Sequence, residues 1–134
     1  MKKLKRLPFD KKPKKKPIGS LKKKAWKVFS IWIRKRGSTT TWNRCVTCQK
    51  SLPIKSLHAG HYLHGHSKAT FMMEENVHCQ CIKCNHFLSG NLLEYHSFML
   101  KTYGESVIEQ LKQKSKEIWK PSREQLEEII AKYS

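Results

Sequence analysis

Between residues 20 and 37, apolar side chains return every three or four positions: Leu21, Ala25, Val28, Phe29, Trp32 and Ile33. That spacing predicts a helix with one apolar stripe, which Ser20 is placed to cap and Gly37 to end. The same segment carries Lys22, Lys23, Lys24, Lys27, Arg34, Lys35 and Arg36, so the rest of its surface is basic. From Thr39 to Tyr62 the helical period is lost, and the Ser/Thr cluster, CVTC and SLPIKSLHAGHYL predict loops and short strands. The period returns around Cys84, where Phe87, Leu88, Leu92, Tyr95, Phe98 and Met99 predict a helix with a core-facing stripe. Gly90 is its weak point and Gly104 its stop. A weaker stripe of Val107, Ile108, Leu111 and Ile118 covers residues 105–118. A last helix opens at Pro121 and Ser122, where Ser122 and Gln125 have capping-box spacing and Leu126, Ile129 and Ile130 form the inner face.

Helices flanking a segment of strands and loops give an α+β class. The chain divides into an arm, 1–19, and one domain, 20–134. Within that domain, a basic helix spans 20–37, a core 38–100 and C-terminal helices 105–134. At 134 residues the core is small.

Charge narrows the range of partners. Lys and Arg number 28 against 10 acids, a net charge of +18, the sign that attracts polyphosphate. Twelve of those cations fall in residues 1–24 with Asp10 the one acid there, a local charge of +11 that leaves +7 for the rest. Such a Pro-punctuated basic arm cannot bury enough apolar surface to fold alone. DNA is the predicted partner, with Lys22, Lys23, Lys24, Lys27, Arg34 and Arg36 as phosphate contacts whose affinity falls with salt. Trp26, Trp32 and Trp42 could stack on unpaired bases, although Trp26 and Trp32 also have the spacing of packing residues. No membrane is implied, because VFSIWI is too short to span one, and no small-molecule cofactor motif is present. The basic start is not followed by an apolar stretch, so the expectation is an intracellular protein.

In a reducing compartment, cysteines at metal-ligand spacing point to metal before disulfide. Cys45 and Cys48 are two residues apart, as are Cys81 and Cys84, with 32 residues between the pairs. Two such knuckles can present four thiolates tetrahedrally to a structural Zn²⁺, which would add folding free energy to a small core. His78 and Cys79 lie close enough to replace an assigned ligand, and an iron–sulfur cluster shares the spacing. Between the knuckles His58, His61, His64 and His66 crowd into LHAGHYLHGH.

CVTC, HAGHYL, ENVHCQCIKCNHFLSGNLLEY and YGESVIEQL together resemble the phage NinG (Rap) recombination endonuclease family, over residues 20–134. The resemblance implies a zinc-stapled HNH-like, or ββα-metal, core. It also implies a metal-dependent endonuclease that hydrolyses phosphodiesters in branched recombination intermediates such as Holliday junctions and D-loops, in the cytoplasm of an infected or lysogenic bacterial host. Carried over by motif, His61 is the general base, a group poised near neutral pH. Asn76 is the residue that orients it through backbone hydrogen bonds. Asn85, with His86 and Asn91 as alternates, is the ligand of a catalytic Mg²⁺ or Mn²⁺. Many HNH enzymes carry a metal-binding Asp or His directly before the base, where this chain has Gly60. Alternation puts His58 on the face of Gly60, where the missing side chain would let His58 reach the ion. Symmetric cutting of a four-way junction implies a homodimer. The competing readings are a zinc-stabilised DNA-binding or recombination-mediator protein without catalysis, and a general HNH nicking endonuclease.

Overall fold

In the computed structural model, residues 15–134 are described, so most of the expected arm lies outside the described residues. The first helix, α1 (Ile18–Lys35), begins two residues before the predicted start. Pro17 stands at its N-cap with no side-chain cap, and the Pro17 carbonyl accepts from the Leu21 amide at 3.1 Å. Proline's fixed φ already suits this position, so Ser20 lies inside the first turn and does not cap. Leu21, Ala25, Phe29 and Ile33 are buried, one residue per turn on a single face. Gly37, at φ 78°, turns the chain after the helix.

Two antiparallel ribbons follow. The first pairs β1 (Trp42–Arg44) with β2 (Ser51–Pro53), and the Cys45–Cys48 knuckle forms its turn. The second pairs β3 (Leu57–His61) with β4 (Val77–Cys81) in a register that sets His58 opposite Gln80, Gly60 opposite His78 and His61 opposite Val77. All five residues of β4 are buried because both of its faces are covered. Val77 meets Phe29 and Ile33 of α1 on one face, while His78 meets Tyr95 and Phe98 on the other.

The helix predicted through Cys84 is broken. A short π-helical turn, Lys83–Phe87, is followed by positive φ at Ser89, Gly90 and Asn91, and only then does α2 (Leu92–Thr102) begin. The break changes the phase of the stripe. Tyr95 and Met99 are buried as predicted, but Phe87 is 71% exposed, and Leu88 and Leu92 also face outward. Next come α3 (Glu105–Lys114), which buries Ile108 and Leu111, and α4 (Arg123–Tyr133), which packs Leu126 on Leu21 and Ala25. The capping box at Ser122 and Gln125 is formed, with bonds of 3.2 and 2.9 Å. Ile118 is exposed and bridges to Lys68 instead of joining the core. The class is α+β, as expected, and each fully buried Leu or Phe contributes about 2 kcal/mol to it. Among the described residues, no helix is long and apolar enough to cross a membrane.

Candidate functional site

The turn of the first ribbon and the end of β4 bring Cys45, Cys48, Cys81 and Cys84 together, with every pair of sulfurs within 4.8 Å. Four thiolates about a tetrahedral Zn²⁺ stand about 3.8 Å apart, and the Cys48 and Cys81 sulfurs are already at 3.7 Å. The set can hold one metal ion such as zinc. Nearby donors suit thiolates, since the Cys84 amide reaches the Cys81 sulfur at 3.4 Å and Asn91 Nδ2 reaches the Cys84 sulfur at 3.6 Å. Burial pushes the Cys45 thiol up, but hydrogen bonds from Thr47 and neighbouring backbone outweigh it and bring Cys45 down to about 6. Cys79 is outside the cluster, and burial pushes its thiol up to about 12, where it stays neutral. His78 is also outside the cluster.

His61 ends β3, its ring stacked against Trp26 and Phe71 at centroid distances of 5.0 Å each. Its Nε2 lies 2.9 Å from the Phe71 carbonyl oxygen. A carbonyl only accepts, so Nε2 carries the proton and Nδ1 keeps its lone pair. Burial between the two aromatic rings lowers the His61 pKa to about 4, with His64 and His66 adding to the effect. This departs from the near-neutral value expected of an unperturbed histidine. The imidazole is therefore uncharged at neutral pH, an acceptor in a fixed tautomer.

Asn76 is fully buried at the end of the β3–β4 connection. Its Oδ1 accepts from the Leu63 amide at 2.8 Å, and its Nδ2 donates to the Leu63 and Thr70 carbonyls at 2.9 Å each. These bonds fold residues 62–76 back on themselves and hold Phe71 over His61.

Beside Gly60 the geometry differs from the expectation. A Cβ built on Gly60 would meet Gln80 Oε1 at 1.9 Å and Asn85 Oδ1 at 3.0 Å, so Gln80, not His58, fills the gap. His58 instead places Nδ1 3.1 Å from Asn85 Nδ2. Gln80 Nε2 donates to the Gly90 carbonyl at 2.9 Å and to Thr47 Oγ1 at 3.2 Å, which fixes the amide and turns Oε1 toward Gly60. Among the described residues, Gln80 Oε1 and Thr70 Oγ1 are the buried side-chain oxygens without a hydrogen-bond partner. An unpaired acceptor beside a second amide oxygen, itself steadied by His58, is a donor pair that suits a hard divalent cation. Of the alternates, His86 is exposed and packs its ring edge on Phe87, while Asn91 serves the Cys84 sulfur.

His78 gains a distinct place. The Tyr95 hydroxyl donates to the Gly60 carbonyl at 2.7 Å, so it accepts from His78 Nδ1 at 2.9 Å, and His78 Nε2 accepts from the Tyr103 hydroxyl at 2.7 Å. Burial, with Arg36 nearby, lowers His78 to about 3. This neutral relay anchors the backbone one residue before His61.

The basic residues divide into two groups. Lys23, Lys24 and Lys27 are exposed on α1. Lys22 donates to the His66 carbonyl at 2.9 Å and lies over the Phe71 and Trp119 rings. Arg34 reaches the Ser30 and Ile54 carbonyls. Arg36 is turned inward, donating to the Glu74 and Val77 carbonyls at 3.0 and 2.7 Å, where it ties α1 to β4 rather than standing free for phosphate. Trp26 and Trp32 pack, and Trp42 is half exposed. Sequence reasoning missed Gln80, Tyr95 and the Phe71 carbonyl. The one signal for Gln80 was a large amide inside a wholly buried strand, where it must find partners.

The chain matches the family model described as bacteriophage lambda NinG protein over residues 2–134. NinG of Escherichia phage 933W is 28% identical over 90 residues, covering 66% of this chain and 43% of that protein. NinG of Salmonella phage P22 and NinG of Escherichia phage lambda are also 28% identical over 90 residues, each with 42% of its length covered. The chain spans less than half the length of the curated relatives it matches. No solved structure matches it. With the family's sequence pattern running through the cysteine knuckles, the β3–β4 ribbon and the helices behind them, the chain belongs to the NinG family of bacteriophage proteins.

Proposed function

We propose that this chain is a metal-dependent, structure-specific DNA endonuclease with an HNH-like ββα-metal site, acting on branched recombination intermediates such as Holliday junctions and D-loops. The observation that carries the reading is His61, whose Nε2 proton is committed to the Phe71 carbonyl and whose Nδ1 is left as a base. In the proposed reaction Nδ1 takes a proton from a water that attacks the scissile phosphorus. The bond from phosphorus to the 3′ oxygen breaks, and a solvent proton completes the 3′ hydroxyl. Asn76 contributes no proton; it keeps Phe71 in place and so keeps the tautomer. Asn85, with His58 beside it, would hold Mg²⁺ or Mn²⁺. When bound, that ion supplies positive charge against the phosphate and the leaving oxygen. Zn²⁺ at the four cysteines is structural, and exposed Lys23, Lys24 and Lys27 bind phosphates without reading sequence.

The test is cleavage of a labelled four-way junction in Mg²⁺ or Mn²⁺, with EDTA and His61→Ala controls at matched zinc content. Divalent-dependent cutting that disappears in the variant supports the reading. A second reading, a zinc-stabilised DNA-binding or mediator protein, is favoured by the lack of any carboxylate among His58, Gln80 and Asn85. Binding without cutting on every branched substrate would select it. Equal rates on junction, flap, D-loop and linear duplex would instead point to a general nicking enzyme. The proposed homodimer requires a dimer mass by light scattering, alone or on junction DNA.

A further inference from the structure

We infer that Gln80 is a ligand of the divalent cation, delivered across the ribbon from β4 through the side-chain gap at Gly60. The inference rests on the metal-dependent reading above and deepens it. Three observations carry it.

The first is space. Any side chain at position 60 would collide with Gln80 Oε1, which occupies the volume that a ligand borne on residue 60 would use. The second is satisfaction. Gln80 is fully buried, its Nε2 is bound to the Gly90 carbonyl and Thr47, and its Oε1 has no partner. Leaving a buried acceptor without a donor is destabilising, so an amide held in this orientation calls for a positive partner. The third is company. Asn85 Oδ1 is turned to the same point beside Gly60, and Asn85 Nδ2 lies against His58 Nδ1. Two carbonyl-type oxygens are neutral donors, which Mg²⁺ or Mn²⁺ accepts while keeping several waters, and His58 Nδ1, accepting from Asn85 Nδ2, steadies the second of them. Such a site binds the free ion weakly and relies on DNA phosphate to supply negative charge.

The residue pair 60 and 80 thus exchanges roles across the ribbon: the ligand expected just before the base is absent, and the facing strand supplies one. The rival arrangement needs no ion. In it, Asn85 turns its amide by half a rotation, and Nδ2 donates to Gln80 Oε1.

Mn²⁺ binding to the zinc-loaded full chain, followed by the electron paramagnetic resonance of free Mn²⁺ and without DNA, separates the two. Wild type is expected to bind in the millimolar range or tighter, and Gln80→Ala to bind about tenfold more weakly. Gly60→Asp combined with Gln80→Ala clears the gap and restores a carboxylate, so it is expected to regain or exceed wild-type affinity. Zinc content and circular dichroism confirm that each variant is folded. Gly60→Ala, which alters no proposed ligand, is a second folded probe expected to weaken Mn²⁺ by displacing Oε1. Equal Mn²⁺ affinity in wild type and Gln80→Ala, or no Mn²⁺ binding by wild type, would overturn the inference and favour the turned Asn85 amide. Junction cleavage is scored separately. Gln80-dependent Mn²⁺ binding without cleavage would remove the nuclease and keep the cation site, whereas cleavage with Mn²⁺ binding indifferent to Gln80 would do the reverse.

Discussion

Asn76 grips Leu63 at two points, accepting from its amide at 2.8 Å and donating to its carbonyl at 2.9 Å, and with the same Nδ2 it reaches Thr70. Three backbone groups of one loop therefore depend on one buried amide. Asn76→Ala should destabilise the zinc-loaded protein by about 3 kcal/mol, because the partners it leaves lose bonds they cannot replace. Urea unfolding measures this, and a loss below about 1 kcal/mol would mean that the loop is held by other contacts.

His61→Ala is expected to lower junction cleavage by about 10²–10⁴-fold while leaving junction affinity unchanged. His61→Gln keeps most of the packing against Trp26 and Phe71 and should be similarly inactive. Gel-based cleavage beside fluorescence anisotropy checks both, and residual activity near wild type would remove His61 from the proposed chemistry.

Two neutral histidines, His61 half-buried and His78 buried, make stability sensitive to acid. His61 is lowered to about 4 and His78 to about 3, from an ordinary value near 6.5. Between those values the unfolded chain binds protons that the folded chain refuses. Stability is therefore fullest above about pH 6.5 and falls as pH drops toward 4 for His61 and 3 for His78. The slope of unfolding free energy against pH should be shallower in His78→Gln than in wild type over pH 4.5–6.5. Equal slopes would mean that His78 is solvated or charged in the folded state.

Zinc should be recovered at one ion per chain by elemental analysis and should be lost in Cys48→Ser and Cys84→Ser, with a large fall in thermal midpoint. Cys79→Ser should retain it, since Cys79 lies outside the four-sulfur cluster. Retention of metal by Cys84→Ser and loss by Cys79→Ser would reassign the ligands.

Replacing Lys23, Lys24 and Lys27 with Ala should weaken DNA binding and reduce the slope of log affinity against log salt by about 2.7 if each meets a phosphate. Arg36→Ala should instead act on folding, because its guanidinium binds the Glu74 and Val77 carbonyls. Salt titrations of affinity and thermal melts distinguish these effects, and an unchanged salt slope would exclude the triple-lysine face.

The knuckles were legible because metal-ligand spacing is local: two residues between cysteines fix a turn whatever surrounds it. The stripe of α1 and the capping box of α4 were legible for the same reason. The second helix departs from its periodicity because that period runs across Ser89, Gly90 and Asn91, whose left-handed backbone resets the phase and leaves Phe87, Leu88 and Leu92 outward. Ser20 is the residue type of a cap, but Pro17, three residues earlier, makes one unnecessary. Gly60 reads as a gap from the sequence, but what fills a gap in a strand depends on register. Only the pairing of β3 with β4 reveals that Gln80 leans into it. Arg36 read as a phosphate contact because its inward carbonyls come from residues 38 and 41 positions away.

The four-sulfur cluster also closes a loop of the chain. Each knuckle is complete within four residues, the two meet where β4 lies beside β3, and His58, His61, Asn76 and Gln80 all lie in the stretch between. Metal held by the first knuckle alone encloses nothing. Closing the clasp and forming the proposed site are thus one event, so removing zinc or oxidising the thiols is expected to disperse that site together with the fold.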